Sequence, residues 1–142
     1  MVRYQTGAAT LIAAVRGVAL VHAAPNSAAC TAIERGLGAG ASFDDLAGAL
    51  SALGFSSLPP FALVVHDDGA ARFLQRGMVE VTVVPESGAP VSYAPPSVST
   101  WREDSVPVCR QVRLTALGLP KGDEYWLSAA GTAPCSTLTW SA

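Results

Sequence analysis

The chain has 142 residues, of which half are hydrophobic and only 14% are charged, and its formal net charge is −2. A chain of this length forms one domain around one core, so we expect residues 1–142 to be a single domain. The small negative charge excludes the basic surface that binding to nucleic acid or to an anionic membrane requires.

The first predicted elements are two short apolar runs, residues 9–15 and 18–22, which bracket a turn at Arg16-Gly17. Their length and spacing predict a β-hairpin. A secretory signal needs an unbroken apolar block of about 7–15 residues, and Arg16 interrupts this one. We therefore expect a cytoplasmic protein without a membrane-spanning segment. The alternative is a small secreted β-rich protein that is cleaved near Ala24.

Two helices are expected next. The segment Pro25-Asn26-Ser27 supplies a turn and an N-cap for a helix over about residues 27–36, which the glycines at positions 36, 38 and 40 should end. Ser42 begins a sequence that resembles a capping box, and leucines at helical spacing follow it, which predicts a second helix over about 43–53. The glycines are not a phosphate loop, because they follow a helix and lack the Gly-Lys-Ser/Thr ending.

The clearest strand signal spans residues 61–84. Two β-rich runs flank a turn that contains Asp68-Gly69, and Asp-Gly is among the strongest hairpin cues. Gly77 is expected to bend the second strand, which continues through alternating valines up to residue 84.

The rest of the chain predicts further strands. Residues 85–97 are rich in proline and glycine, which indicates a loop or a short edge strand. Strand character returns over 98–101, 106–117, 124–128 and 136–140. Together these elements predict an α+β fold, a mostly antiparallel β-sheet with both helices packed on one face.

The candidate catalytic residues are His66, Asp67 and Asp68. The two histidines, His22 and His66, lack metal-binding spacing, so no metal site and no cofactor are expected. An imidazole and two carboxylates that converge on a pocket would suit a hydrolase or phosphatase-like enzyme. Asp-Asp-Gly is also what a tight turn requires. We therefore expect a hairpin turn here and no catalytic centre.

The three cysteines are Cys30, Cys109 and Cys135, an odd number without metal-binding spacing. A disulfide between Cys109 and Cys135 requires that their strands be adjacent. Small buried hydrophobes are the commoner interpretation of isolated cysteines.

The candidate interaction surface is Trp101, Arg102 and Glu103, because these residues place an aromatic ring beside charges at a strand end. The alternative is a tryptophan that anchors the edge of the sheet, with solvated charges next to it.

Three segments also carry a family resemblance: Leu58-Pro-Pro-Phe-Ala-Leu-Val-Val65, Arg72-Phe-Leu-Gln-Arg-Gly-Met-Val-Glu-Val81 and Val98-Ser-Thr-Trp-Arg-Glu103. They resemble the N-terminal region of actinobacterial proteins that carry a forkhead-associated domain further along. The likeness covers roughly residues 4–117 and rests on hydrophobic and turn positions. It implies a signalling context but carries over no phosphate-reading residue.

The expected function is a non-enzymatic protein-interaction or regulatory module. Because charged residues are few and several strands are rich in alanine and valine, we expect its partner to be a protein, and a homodimer fits the same pattern.

Overall fold

The computed structural model describes residues 1–67, 70–107, 109–128 and 130–141. These residues contain ten strands, two α-helices and one short 3-10 helix, Phe55–Ser57. The strands are β1 (Val2–Ala13), β2 (Gly17–Val21), β3 (Phe61–Asp67), β4 (Ala70–Arg76), β5 (Val79–Pro85), β6 (Val91–Tyr93), β7 (Arg102–Pro107), β8 (Cys109–Ala116), β9 (Glu124–Leu127) and β10 (Gly131–Ser141), and the helices are α1 (Ala28–Gly38) and α2 (Phe43–Ser51). The predicted α+β fold is confirmed. No helix in the described part of the chain is long and apolar enough to cross a membrane.

The strands form one antiparallel sheet in the order β6-β5-β8-β10-β1-β2-β3-β4-β7, and β9 pairs with the first residues of β1. The sheet curls into a half-barrel. Side chains on the inner face therefore pack against one another, and side chains on the outer face meet the helices or the solvent.

The curl creates two hydrophobic cores, so the expectation of a single core is wrong. The inner core lies inside the half-barrel and includes Leu11, Leu20 and Phe73. The outer core lies between the helices and β1 to β4, and it includes Ile33 and Leu63. Because successive side chains of a strand point to opposite faces, every residue of β2 is buried in one core or the other. The predicted hairpin of β1 and β2 is thus covered on both faces.

Both helices begin where the sequence predicts. The Ser27 hydroxyl accepts a hydrogen bond from the Cys30 N–H at 3.3 Å, and the Ser42 hydroxyl accepts one from the Asp45 N–H at 3.1 Å. These bonds satisfy backbone groups that the first helical turn leaves without partners.

The predicted end of α1 at residue 36 is wrong, because the helix continues through Gly36 to Gly38. A Cβ on Gly36 would strike the Leu46 side chain, so this glycine allows the close approach of the two helices. Helix α2 ends at Ser51, two residues before its predicted end at 53.

The hairpin of β3 and β4 is confirmed, with Leu63 opposite Leu74, whereas its Asp68-Gly69 turn lies outside the described residues. The predicted continuation of β4 through Gly77 into one long strand is wrong. Gly77 has φ +68°, and the chain turns there so that β5 leaves the hairpin and pairs with β8 and β6. A left-handed φ of this kind favours glycine.

The two ends of the sheet, β6 and β7, meet at the side chain of Gln75. Its amide nitrogen donates to the carbonyl oxygens of Val79 and Tyr93, each at 2.8 Å. Its amide oxygen accepts a hydrogen bond from Arg102 of β7 at 3.0 Å. The Arg102 guanidinium also donates to the carbonyl oxygen of Ala94 at 2.9 Å. Side chains therefore join the ends of the sheet where no strand pairing does.

The pairing of β1 with β10 is irregular at one point. The pairing register of these strands shifts between Gln5 and Ala9, and Gly7 lies within the shift. A Cβ on Gly7 would strike the Ser136 side chain and lie 2.7 Å from the Ser136 backbone nitrogen. Only a residue without a side chain fits at this point.

We expect Gly7→Ala to destabilise the protein by about 1–3 kcal/mol, since the added methyl group has no free space. The matched control is Gly48→Ala in α2, where an added Cβ meets nothing within 4 Å. This control should stabilise the protein by about 0.5–1 kcal/mol through helix propensity. Urea unfolding measures both changes. Equal effects of the two substitutions would contradict the role of Gly7.

Candidate functional site

His66 lies at the end of β3 and points into the inner core. Its Nε2 atom is 3.3 Å from the Cys109 Sγ atom, and its ring meets the Trp140 ring edge-on with centroids 4.7 Å apart. The side chain of Asp67 and the whole of Asp68 lie outside what the structure describes. Convergence of the two carboxylates with His66 therefore stays a prediction.

The His66–Cys109 contact joins two neutral groups. Burial lowers the pKa of His66 and raises the pKa of the Cys109 thiol. A cysteine nucleophile requires the reverse, a thiol whose pKa is lowered by a nearby positive charge. The pair is therefore a packing contact that fills one end of the inner core.

All three cysteines are buried free thiols. The disulfide considered for Cys109 and Cys135 is absent, although β8 and β10 are adjacent strands. Their register pairs Thr115 with Thr137, which leaves Cys109 at one end of this strand pair and Cys135 at the other. Burial raises the pKa of Cys135 to about 12. The interpretation of the cysteines as small buried hydrophobes is confirmed.

Trp101 of the candidate interaction surface packs inward. Its ring meets the rings of Phe55 and Phe61 edge-on, with centroids 4.7 and 6.3 Å apart. Arg76 fixes the preceding loop by donating to the carbonyl oxygen of Thr100 at 2.6 Å. These contacts favour the interpretation of Trp101 as an anchor for the edge of the sheet.

Arg102 and Glu103 lie at the start of β7. The Arg102 side chain is committed to Gln75 and to the carbonyl oxygen of Ala94, whereas Glu103 is exposed. Recognition of a partner through Trp101, Arg102 and Glu103 stays a prediction, and of the three side chains only Glu103 is free of internal contacts in the described structure.

A second surface, which the sequence did not reveal, lies on the outer face of β9, β1, β10, β8 and β5, where neither helix packs. We call it the polar face. The strand register places its side chains in two rows that run across the strands. The arginine row is Trp126, Arg3, Thr139, Arg113 and Thr82. The glutamate row is Glu124, Gln5, Thr137, Thr115 and Glu80.

A groove of about 360 Å³ follows these rows, and the loop that contains Leu117 and Lys121 contributes to its lining. Threonine hydroxyl groups form part of its floor, and those of Thr115 and Thr137 are hydrogen-bonded at 2.9 Å. The groove thus offers hydroxyl, amide and charged groups together.

Most charged side chains of the groove make no polar contact within the described part of the protein. Among the described residues, the side chains of Glu80, Arg113, Lys121 and Glu124 form no hydrogen bond or ion pair. Arg3 lies over the Trp126 ring, 5.9 Å from its centroid. Opposite charges on neighbouring strands therefore remain open to a ligand.

Nothing in the described ranges suggests a metal centre, since no group of three or more potential metal-ligating side chains is found there. The expectation of no metal site and no cofactor stays a prediction. Comparison with family models, with curated proteins and with solved structures finds no match for this chain.

The stability of the protein should fall as the pH decreases below about 6.5. Burial places the pKa of His66 below its ordinary value of 6.5, so in this range the unfolded chain binds a proton more readily than the folded one does. The stabilising contribution of neutral His66 is thus complete above pH 6.5 and is lost as the pH falls through its folded-state pKa.

Urea unfolding between pH 7.5 and pH 5 measures this dependence. We expect His66→Gln to make the midpoint less sensitive to pH, because glutamine does not titrate. A His66→Gln curve parallel to that of the unaltered protein would contradict the assignment.

Proposed function

We propose that the protein is a non-enzymatic protein-interaction or regulatory module that recognises its partner through the polar face. This proposal rests on the part of the outer surface that neither helix covers. Helices cover the second half of β1 and strands β2 to β4 on the outside, whereas the first half of β1 and its neighbours expose a groove. Apart from Arg3, which lies over Trp126, the charged side chains of this groove have no partner in the described structure.

The composition of the polar face suits protein recognition. Trp126 is 61% exposed at one end of the arginine row, and tryptophan and arginine are the residue types most enriched at the energetic centres of protein interfaces. Exposed charges that are unpaired in the free protein can form ion pairs across an interface, where they steer the encounter and select the partner.

The hydrolase alternative has weaker support. It depends on His66 with Asp67 and Asp68, and the one described member of that set is packed against Cys109 and Trp140. Both pKa shifts favour neutral groups, and His66 does not line the groove of the polar face. The secreted alternative is independent of these contacts and stays a prediction.

The cellular context belongs to the same proposal. A signalling role agrees with the resemblance to forkhead-associated proteins, which itself stays a prediction. A cytoplasmic location agrees with three buried thiols, none of which is in a disulfide. The partner is a protein, and a second copy of this chain is one outcome of the test below.

Photo-crosslinking in cells tests this proposal. A photoreactive amino acid at Lys121, in the loop that lines the groove of the polar face, should give a discrete protein adduct, and the adduct should disappear when Arg3→Glu is added to the same chain. The matched control carries the photoreactive residue at Arg35, which is exposed on α1, and should give no such adduct. The proposal fails if no adduct forms from Lys121, or if Arg3→Glu leaves the adduct unchanged.

A further inference from the structure

The order of charges on the polar face specifies its ligand more closely. We propose that the groove binds a polyproline II segment of a partner protein in which an acidic residue has basic residues three positions before and three positions after it. This inference rests on the proposed function, because it names the partner that the polar face would recognise.

The charges alternate in a fixed order across the strands. Glu80 lies on β5, Arg113 on β8, Thr139 on β10, Arg3 on β1 and Glu124 on β9, and these strands are consecutive neighbours. The order is therefore negative, positive, neutral, positive, negative. A complementary ligand has a negative group at its centre and a positive group at each end.

The strand spacing fixes the distances in this pattern. Neighbouring strands lie about 4.8 Å apart, so the strands of Arg3 and Arg113 are separated by about 10 Å, with β10 between them. A carboxylate above Thr139, which is buried in the floor of the groove, would lie between the strands of the two arginines. The strands of Glu80 and Glu124 are about 19 Å apart, which sets the distance between the two basic groups of the ligand. Both glutamates also lie two residues, or about 7 Å, along the strands from the arginine row, so the basic groups of the ligand must be long side chains such as lysine.

A polyproline II helix has the matching period. It has three residues per turn and rises about 3.1 Å per residue, so residues i and i+3 lie on one side about 9.3 Å apart. Residues i and i+6 lie about 19 Å apart on the same side. A β-strand does not match, because residues at i and i+3 point to opposite faces.

Other occupants fit less well. The glutamates at both ends of the groove would repel nucleic acid or another polyanion, and the net charge of −2 opposes the same ligands. A second copy of this chain does not supply the segment, since no acidic residue in the sequence has basic residues both three positions before and three positions after it. The partner is therefore a different protein.

The probe is the peptide acetyl-Lys-Pro-Pro-Asp-Pro-Pro-Lys-amide, titrated into the isotope-labelled full chain and followed by two-dimensional NMR. We expect amide shifts that cluster at Arg3, Arg113 and Thr139. Exposed ion pairs are weak, so the expected dissociation constant lies in the millimolar to high-micromolar range. The control peptide, acetyl-Asp-Pro-Pro-Lys-Pro-Pro-Asp-amide, should bind at least tenfold more weakly.

Two variants complete the test. Arg113→Glu should weaken binding of the probe at least tenfold, while Arg35→Glu, the same change on the exposed side of α1, should leave it within twofold. The NMR spectrum of each variant also reports whether the chain is folded. Should Arg113→Glu be unfolded, Arg3→Glu replaces it in the same comparison.

Equal binding of both peptides, shifts that lie elsewhere, or no binding at all would overturn this inference. The proposed function is judged separately by the crosslink from Lys121 and its dependence on Arg3. If the crosslink depends on Arg3 although the chain does not bind the peptide probe, the polar face is still an interaction surface, but its ligand is not the polyproline II segment.

Discussion

The fold depends on one buried amide group, that of Gln75. A curled sheet that does not close by strand pairing leaves two edges, and here these are β6 and β7. Gln75 is fully buried and bonds to the Tyr93 carbonyl oxygen of β6 on one side and to Arg102 of β7 on the other. Each buried polar group that loses its partner costs about 1–3 kcal/mol, so this contact strongly favours the curled form over an open sheet.

This closure gives the two faces of the sheet different roles. Once β6 lies near β4, the Phe73 and Tyr93 rings meet at 4.8 Å and the inner face becomes a continuous core. The two helices cover only β1 to β4 on the outside. The remaining outer surface is a rigid platform of paired strands, and rigid platforms position recognition groups more accurately than loops do. The spacing of Arg3 and Arg113 is therefore set by backbone hydrogen bonds.

Local signals explain what the sequence could predict. Ser27 and Ser42 bind backbone groups within three residues, and the β3–β4 hairpin joins neighbouring runs, so pattern reasoning found these elements. The polar rows arise from non-local pairing: Thr82 of β5 lies beside Arg113 of β8, which lies beside Thr139 of β10. Each strand shows polar residues at alternate positions, but the sequence of a single strand does not indicate which strands lie beside it. Gly77 was misassigned for the same reason, because the partner of β5 lies about 30 residues further along.

The separation of β6 and β7 tests the closing role of Gln75 most directly. Spin labels at Val91 and Glu103, introduced as cysteines at exposed positions of the two strands, report this distance by pulsed electron resonance. The unaltered core should give one narrow distribution. We expect Gln75→Met to lengthen and broaden it, while Gln111→Met, a similar change at a glutamine without such bonds in the described structure, leaves it unchanged. A narrow, unshifted distribution in folded Gln75→Met would contradict the account.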